Sequence, residues 1–325
     1  MATLKDIAKK TGVTATTVSR VINNRGYVSD KTRKKVYAAM KEMNYQPNEL
    51  ARALSKQYTN TIGVIVPHID HPFFTKLISN LEAAAAARKY KIILCNSNEQ
   101  PEKEAEYLDI CVSNRVAGIV LCSKYVNAEK FGALNIPIVN FEREDDAAAI
   151  TIQCDNYQGG RIAAEHLIAC GCKNLLHFGG VIGKEMPADR RANGFTDVCN
   201  TAGIKSRVVQ CDELINASMN YHSYIEQGIK ENLQVDGIFA SSDLIAAEII
   251  QVCTAMDIQI PERLKLVGFD DVLISTITTP TITTIHQPMK EMSEMSIDYI
   301  HKSLMGELVP NNIILPVKLM KRNST

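Results

Sequence analysis

Arg20 is the only long hydrogen-bond donor on the outward face of a short amphipathic segment, residues 14–22, where it stands beside Thr16, Thr17 and Ser19. A guanidinium forks onto the O6 and N7 acceptors of guanine, so this grouping suits the reading of a base edge. Farther along the chain, residue types that do covalent or metal chemistry occur without the spacing such chemistry needs. His68, Asp70 and His71 follow an apolar run, with no Cys or His cluster nearby to complete a zinc set. They read as polar loop residues. Cys170 and Cys172, either side of Gly171, read as a helix end with two buried thiols. Asp145-Asp146 and Asp270-Asp271 are chain neighbours, which does not set two carboxylates about one reacting bond. Gly159-Gly160 follows a strand-like run, but a glycine pair alone is weak evidence of phosphate binding. GxGxxG, Walker A, HExxH and GxSxG patterns do not occur. The expectation is a binding protein with no metal, no cofactor and no catalytic set.

The elements that carry Arg20 are written in capping chemistry. Thr3 and Asp6 make a capping-box pair ahead of a helical stretch with Leu4, Ile7 and Ala8 on one face. Gly12 and Val13 break it. Thr14 is suited to cap a second helix through Ile22, with Val18, Val21 and Ile22 turned inward and Val13 stapled to Val18. Ser29 is suited to cap a third, whose stripe is Val36, Ala39, Met40 and Met43. Two short helices joined by a Gly-containing turn and backed by a third make a helix-turn-helix. Charge points the same way. Up to Tyr58 there are 12 Lys and Arg against 4 Asp and Glu, while the remainder holds 24 against 32. A basic head on an acidic body suits a polyanion partner.

The 325 residues, 46% hydrophobic and 22% charged, describe a soluble chain of more than one domain. No apolar run approaches the ~18 residues of a membrane span. Residues 1–10 lack the apolar region of a secretory signal. Nine cysteines without CxxC spacing suggest reduced thiols and a cytoplasmic protein. Pro47 is expected to stop the third helix, and residues 48–54 then carry a short helical pattern with Leu50, Ala51 and Leu54 apolar. From Thr61 onward, strand-like runs alternate with amphipathic helices. The runs are 62–66, 92–95, 118–122, 136–141, 150–154, 175–178, 207–211, 237–240, 264–269 and 281–285, with a last strand near 313–317. Helices are expected to begin near Pro72, Pro101, Tyr157, Pro187, Asn216, Asp243 and Pro288. This alternation implies an α/β body with parallel sheets covered on both faces, in two lobes with a cleft between them. Ligands in such folds bind beyond the carboxyl ends of the strands.

The run "TLKDIAKKTGVTATTVSRVINNRGYVSDKTRKKVYAAMKEMNYQPNELARAL" resembles, without a gap, the headpiece of the lactose-repressor/galactose-repressor family of transcriptional regulators. The body resembles that family's effector domain, itself similar to periplasmic sugar-binding proteins. The segments that carry this are "DNYQGGRIAAEHLIACG", "RRANGF", "DGIFASSDLIA", "LKLVGFDD" and "TPTITTIHQP". Within the family the pattern is nearest to sucrose- and ribose-operon repressors. The resemblance implies a headpiece over residues 1–46, a hinge helix and linker over 47–58, and an effector-binding and dimerisation domain over 59–325. It implies that Ala15, Thr16 and Arg20 read bases and that Thr14, Ser19, Asn23 and Thr32 position phosphates. Asn48, Ala51 and Leu54 would belong to a hinge that enters the minor groove.

For the cleft, the resemblance implies contacts from Phe73, Phe74, Asp155, Arg191, Ser242, Asp243, Asp270 and Gln287 to a sugar or sugar phosphate. On the residues' own reading, Phe73 and Phe74 also suit a core, and Asp155 and Asp243 also suit helix caps. Near Asp212-Glu213-Leu214 the family often has a pocket aromatic, and none stands here. No leucine heptad trails the last strand, so the expected assembly is a homodimer on a pseudo-palindromic DNA operator. Two other readings stay open: a global regulator with a phosphorylated carrier protein as co-effector, and a sugar-converting enzyme with a DNA-binding head.

Overall fold

The computed structural model describes residues 2–23, 25–45, 58–122, 136–142, 150–182 and 186–325. The chain divides into two compact units, Met1–Thr59 and Asn60–Thr325. In the first, α1 (Leu4–Thr11), α2 (Ala15–Ile22) and α3 (Asp30–Glu42) enclose Ile7, Ala8, Val18, Val21, Val36 and Ala39. Each helix starts on a local cap. Thr3 Oγ1 accepts from the Asp6 N–H while the Asp6 carboxylate accepts from the Thr3 N–H, and Thr14 and Ser29 accept from Thr17 and Thr32. Gly12 ends α1 at φ +67°, a left-handed turn that costs glycine nothing. The third helix ends at Glu42, earlier than expected, because Met43 caps it and Asn44 turns left-handed at φ +46°. Pro47 therefore does not stop it. Pro47 and the residues expected to form a hinge, Asn48, Ala51 and Leu54, lie outside the described residues.

The second unit is built on two sheets. β-Branched runs buried on both faces form parallel strands, because helices cover each side. The first sheet comprises β1 (Thr61–Val66), β2 (Lys91–Asn96), β3 (Gly118–Leu121), β4 (Ile138–Phe141), β5 (Ile150–Cys154) and β11 (Asn312–Leu315). Its order is β11-β5-β4-β3-β1-β2, every described pair parallel. The second comprises β6 (Asn174–Val181), β7 (Lys205–Cys211), β8 (Gly237–Ala240), β9 (Lys265–Asp270), β10 (Thr283–His286) and β12 (Lys318–Met320). Its order is β12-β10-β9-β8-β6-β7, with β12 antiparallel to β10. The last strand expected near 313–317 is β11, and a further strand not expected, β12, follows it in the other sheet. Pro316 separates them, since a proline has no N–H to carry a ladder onward.

Helices α4 (Pro72–Ala87), α5 (Pro101–Ser113) and α12 (Met289–Leu304) belong to the first lobe, where α12 packs on α4 and on β3, β4 and β5. Helices α6 (Asn156–Ala169), α7 (Arg190–Thr201), α8 (Glu213–Ser218), α9 (His222–Lys230), α10 (Asp243–Ala255) and α11 (Ile274–Ile277) belong to the second. A 3-10 turn, Pro187–Asp189, precedes α7, so the helix expected at Pro187 begins at Arg190. The helix expected at Asn216 begins at Glu213 on an Asp212 cap, and α9 has no counterpart among the expected elements. The chain passes between lobes at three places: after β5, after β10 and after β11.

Gly159 and Gly160 serve packing rather than phosphate. A Cβ at Gly160 would sit 1.9 Å from the Arg191 carbonyl oxygen, and one at Gly194 2.0 Å from that of Tyr157. Backbone contact between α6 and α7 is what delivers Arg191 to the cleft. The C-terminal end of α6 departs from expectation in one detail: Cys172 is buried, but Cys170 is half-buried, its Sγ 3.7 Å from His166 Nε2. No described helix is long and apolar enough to cross a membrane. Among the described residues no group of three metal-ligating side chains comes together.

Candidate functional site

A cavity of about 220 Å³ opens between the lobes at the carboxyl ends of β1, β3, β4, β6, β8 and β9. Strand ends in a parallel sheet leave backbone and loop groups convergent there. Six of the eight expected effector residues line it: Phe73, Phe74, Arg191, Ser242, Asp270 and Gln287. Phe73 is nearly buried, edge-on to Phe74 with centroids 5.1 Å apart. His71 orients the start of α4, its Nδ1 accepting the Phe73 N–H at 3.2 Å. Burial, with His68 adding, lowers the His71 pKa to about 4, so this ring is neutral when it caps. His68 and His71 both line the cavity, a more specific place than the polar loop expected of them.

Arg191 is only 6% exposed, and its charge is held on three sides. Nε donates to Asn156 Oδ1 at 2.8 Å, a terminal nitrogen donates to the Ser241 carbonyl, and the guanidinium lies 3.6 Å over the Phe269 ring. Asp270 ends β9 at φ +114°, followed by Asp271 at +59°. Non-glycine residues in that region cost about 1–3 kcal/mol each and persist only where neighbours enforce them. Asp243 is the enforcer. Its buried carboxylate accepts from the Val272 N–H at 2.9 Å and the Thr284 hydroxyl at 2.6 Å, pinning the turn.

Asp243 and Asp155 are the two expected contacts that the structure does not bring to the lining. Asp155 caps α6 by accepting from the Gln158 N–H at 2.9 Å. In both cases backbone donors at a helix start or adjoining turn claim the carboxylate before any cavity group does.

Asp270 oxygen Oδ1 accepts from Gln287 Nε2 at 2.7 Å, while the buried Gln287 Oε1 has no protein partner among the described residues. A buried orphan acceptor on a cavity wall marks a place for a donor. Burial pushes the Asp270 pKa up to about 7, against the opposing pull of the Arg191 charge. A carboxyl raised above its unfolded value of 3.8 stabilises the fold fully below about pH 4, and that contribution is lost as pH rises through about 7. Asp270→Asn has no such proton to lose. Its stability relative to wild type is expected to rise from about pH 5 to about pH 8, read as urea midpoints. A constant difference between the two proteins across that range would contradict the buried titration.

Sequence reasoning missed several lining groups. The aromatic absent near Asp212-Glu213-Leu214 is supplied by Tyr221, 4% exposed, while Leu214 points outward at 81%. Glu99 and Asn216 meet across the cleft, Asn216 Nδ2 donating to Glu99 Oε1 at 3.0 Å. Glu142 at the end of β4 also lines the cavity. In the first unit, Ala15, Thr16, Arg20 and Asn23 are exposed on or at the end of α2. Thr17 and Ser19 are half-buried instead of open, and Ser19 Oγ accepts from Asn23 Nδ2 at 3.2 Å. Thr14 and Thr32 spend their hydroxyls partly on helix starts, 2.9 Å from Thr17 and 3.0 Å from Ser29. Tyr27, in the loop before α3, is 93% exposed and is a further surface group of this unit.

Comparison with known proteins places both units. Residues 3–48 match the model of the bacterial regulatory proteins, lacI family, and residues 164–325 match a periplasmic binding protein-like domain. A sucrose operon repressor of Streptococcus mutans is 36% identical over 324 residues, 100% of this chain and 99% of that protein. A ribose operon repressor of Halalkalibacterium halodurans is 33% identical, with 100% and 97% covered. Among solved structures, the lac repressor dimer bound to operator and the anti-inducer ONPF superposes with a TM-score of 0.83 at 25% identity, over 99% of this chain and 98% of that one. A periplasmic binding protein/LacI transcriptional regulator from Alkaliphilus metalliredigens, complexed with D-xylulofuranose, gives 0.74 at 31%, over 82% and 99%. With a capped three-helix head, a two-sheet body and end-to-end relatives at this identity, the chain belongs to the lacI family of bacterial regulatory proteins.

Proposed function

We propose that the protein is a cytoplasmic, homodimeric repressor of a carbohydrate-utilisation operon, whose grip on operator DNA is set by a small sugar between its lobes. Residues 1–46 serve as DNA-binding headpiece, 47–58 as hinge and linker, and 59–325 as effector-binding and dimerisation domain. One observation carries the reading: Arg191, Asp270 and the unpartnered Gln287 oxygen converge on the wall of a cavity that also presents Phe73 and Phe74. Aromatic rings take the apolar face of a sugar ring, while charged and amide groups take its hydroxyls. These groups bind and orient a sugar, and the full-length relatives are named operon repressors. Arg191 is the only Lys or Arg in that lining, against the carboxylates of Glu99, Glu142, Asp189 and Asp270. That balance favours a neutral sugar over a sugar phosphate.

The relatives named for sucrose and ribose operons, and the xylulofuranose complex, support the same reading. A sugar alters operator affinity only through unequal affinity for the two states of the dimer. Thermal shift against neutral sugars and sugar phosphates tests it. A ligand at about a hundred times its Kd adds about 2.7 kcal/mol of apparent stability, a shift of several degrees. The same sugar should change the affinity for an operator selected from random DNA. If every active compound is phosphorylated, or none changes operator binding, the reading fails.

A further inference from the structure

Two of the three chain passages between the lobes carry a side-chain amide that grips a charged cavity group. Gln287, just after β10, holds Asp270. Asn156, two residues beyond the end of β5, holds Arg191 through Oδ1 at 2.8 Å. The other end of the same amide points to the opposite lobe: Nδ2 donates to Glu142 Oε2 at 2.8 Å, and Glu142 Oε1 accepts the Cys154 N–H. Asn156 is 2% exposed, so neither end of its amide is left to water. A guanidinium has only donors and a carboxylate only acceptors, which fixes the amide in a single orientation. Glu142 follows a strand of the first sheet, and Arg191 opens a helix packed on the second.

We propose that Asn156 is a positioning residue whose amide ties the orientation of the Arg191 guanidinium to the arrangement of the two lobes through Glu142. Rotation about the β5 passage moves Glu142 relative to Arg191, and the amide between them transmits it. Sugar contact by Arg191 and closure of the cleft thereby become one event. This inference rests on the sugar-binding reading above.

Reversing that polarity tests it. Asn156→Asp keeps the acceptor for Arg191 but sets a second carboxylate against Glu142. Adding Glu142→Gln restores a donor: the glutamine oxygen accepts from Cys154 N–H and its NH2 faces the new carboxylate, with net charge conserved. The full chain is titrated with whichever of D-ribose, D-fructose, D-glucose or sucrose shifts wild-type melting most. Asn156→Asp is expected to weaken that sugar by about tenfold or more, and the double variant to return within about threefold of wild type. Wild-type sugar affinity in Asn156→Asp, or a double variant no better than it, overturns the proposal while the sugar reading stands. If Asn156→Asp does not fold, the double variant must bind more tightly than Glu142→Gln alone, or the proposal falls. A wild type that binds neither these four nor any other neutral sugar in the thermal-shift screen overturns the sugar reading and the relay with it.

Discussion

Asp270→Ala and Arg191→Ala are each expected to keep operator binding and to lose sugar affinity by about 2 kcal/mol or more, roughly thirtyfold. The size follows from what each removal strands. Without Arg191, the Ser241 carbonyl loses its donor, Asn156 Oδ1 keeps only the weak Cys154 thiol at 3.4 Å, and Phe269 loses the cation over its face. Without Asp270, Gln287 Nε2 loses its acceptor and the guanidinium beside it faces a buried site with less opposing charge. A buried group left unpaired costs about 1–3 kcal/mol, more when it is charged. Two of the five guanidinium N–H groups are already spent on Asn156 and Ser241, so the sugar meets the remainder and the free side of the Asp270 carboxylate. The described lining residues all belong to the second unit, so DNA contacts made by the first should persist. For an inducible repressor the phenotype is permanent repression: the operator stays occupied and the sugar goes unheard. Calorimetric titration and operator binding with and without sugar check both variants. Full sugar affinity in both would place the effector elsewhere.

Local chemistry was the legible part. The caps at Thr3, Thr14 and Ser29 are set by side chains three residues from their partners, so the headpiece helices could be read directly. The strand cores were equally readable, because a run of Ile and Val buried on both faces has few other uses. Where two local rules competed, the reading went astray. Asp155 carries the right chemistry for a sugar but caps its own helix, while α10 is capped by Ser242 and the Asp243 carboxylate is claimed by Val272 N–H and the Thr284 hydroxyl. Contacts made by tertiary packing left no local trace. Tyr221 reaches the cavity from just ahead of α9, seven residues beyond the stretch where an aromatic was sought. Glu142 and Asn156 are fourteen residues apart, and the pairing of β4 with β5 in one sheet is what brings them to a shared hydrogen bond. Pro316 was the visible sign that β11 ends at Leu315 before β12 begins in the other sheet.

Arg20→Ala is expected to weaken specific operator binding by about 1–3 kcal/mol, or roughly five- to 150-fold, without unfolding the headpiece. The fold is safe because α2 is held by Val18 and Val21 on its buried face and by Thr14 at its start, whereas Arg20 is exposed. Alanine is also the better helix former. Its exposed neighbours Ala15 and Thr16 can add apolar contact with a thymine methyl, but no forked donor. That leaves the guanidinium as the strongest base reader on this face. Two outcomes separate base reading from simple charge. A base reader, once lost, erases the preference for guanine at one operator position in each half-site, and binding to random DNA changes little. A phosphate contact, once lost, weakens all sequences alike and lowers the slope of log affinity against log salt by about 1. Binding measured across single-base operator variants at several salt concentrations distinguishes them. Equal weakening on every sequence would move Arg20 to the phosphates and shift the reading of bases to the small side chains at the start of α2. Unchanged affinities throughout would mean that this helix does not face the DNA.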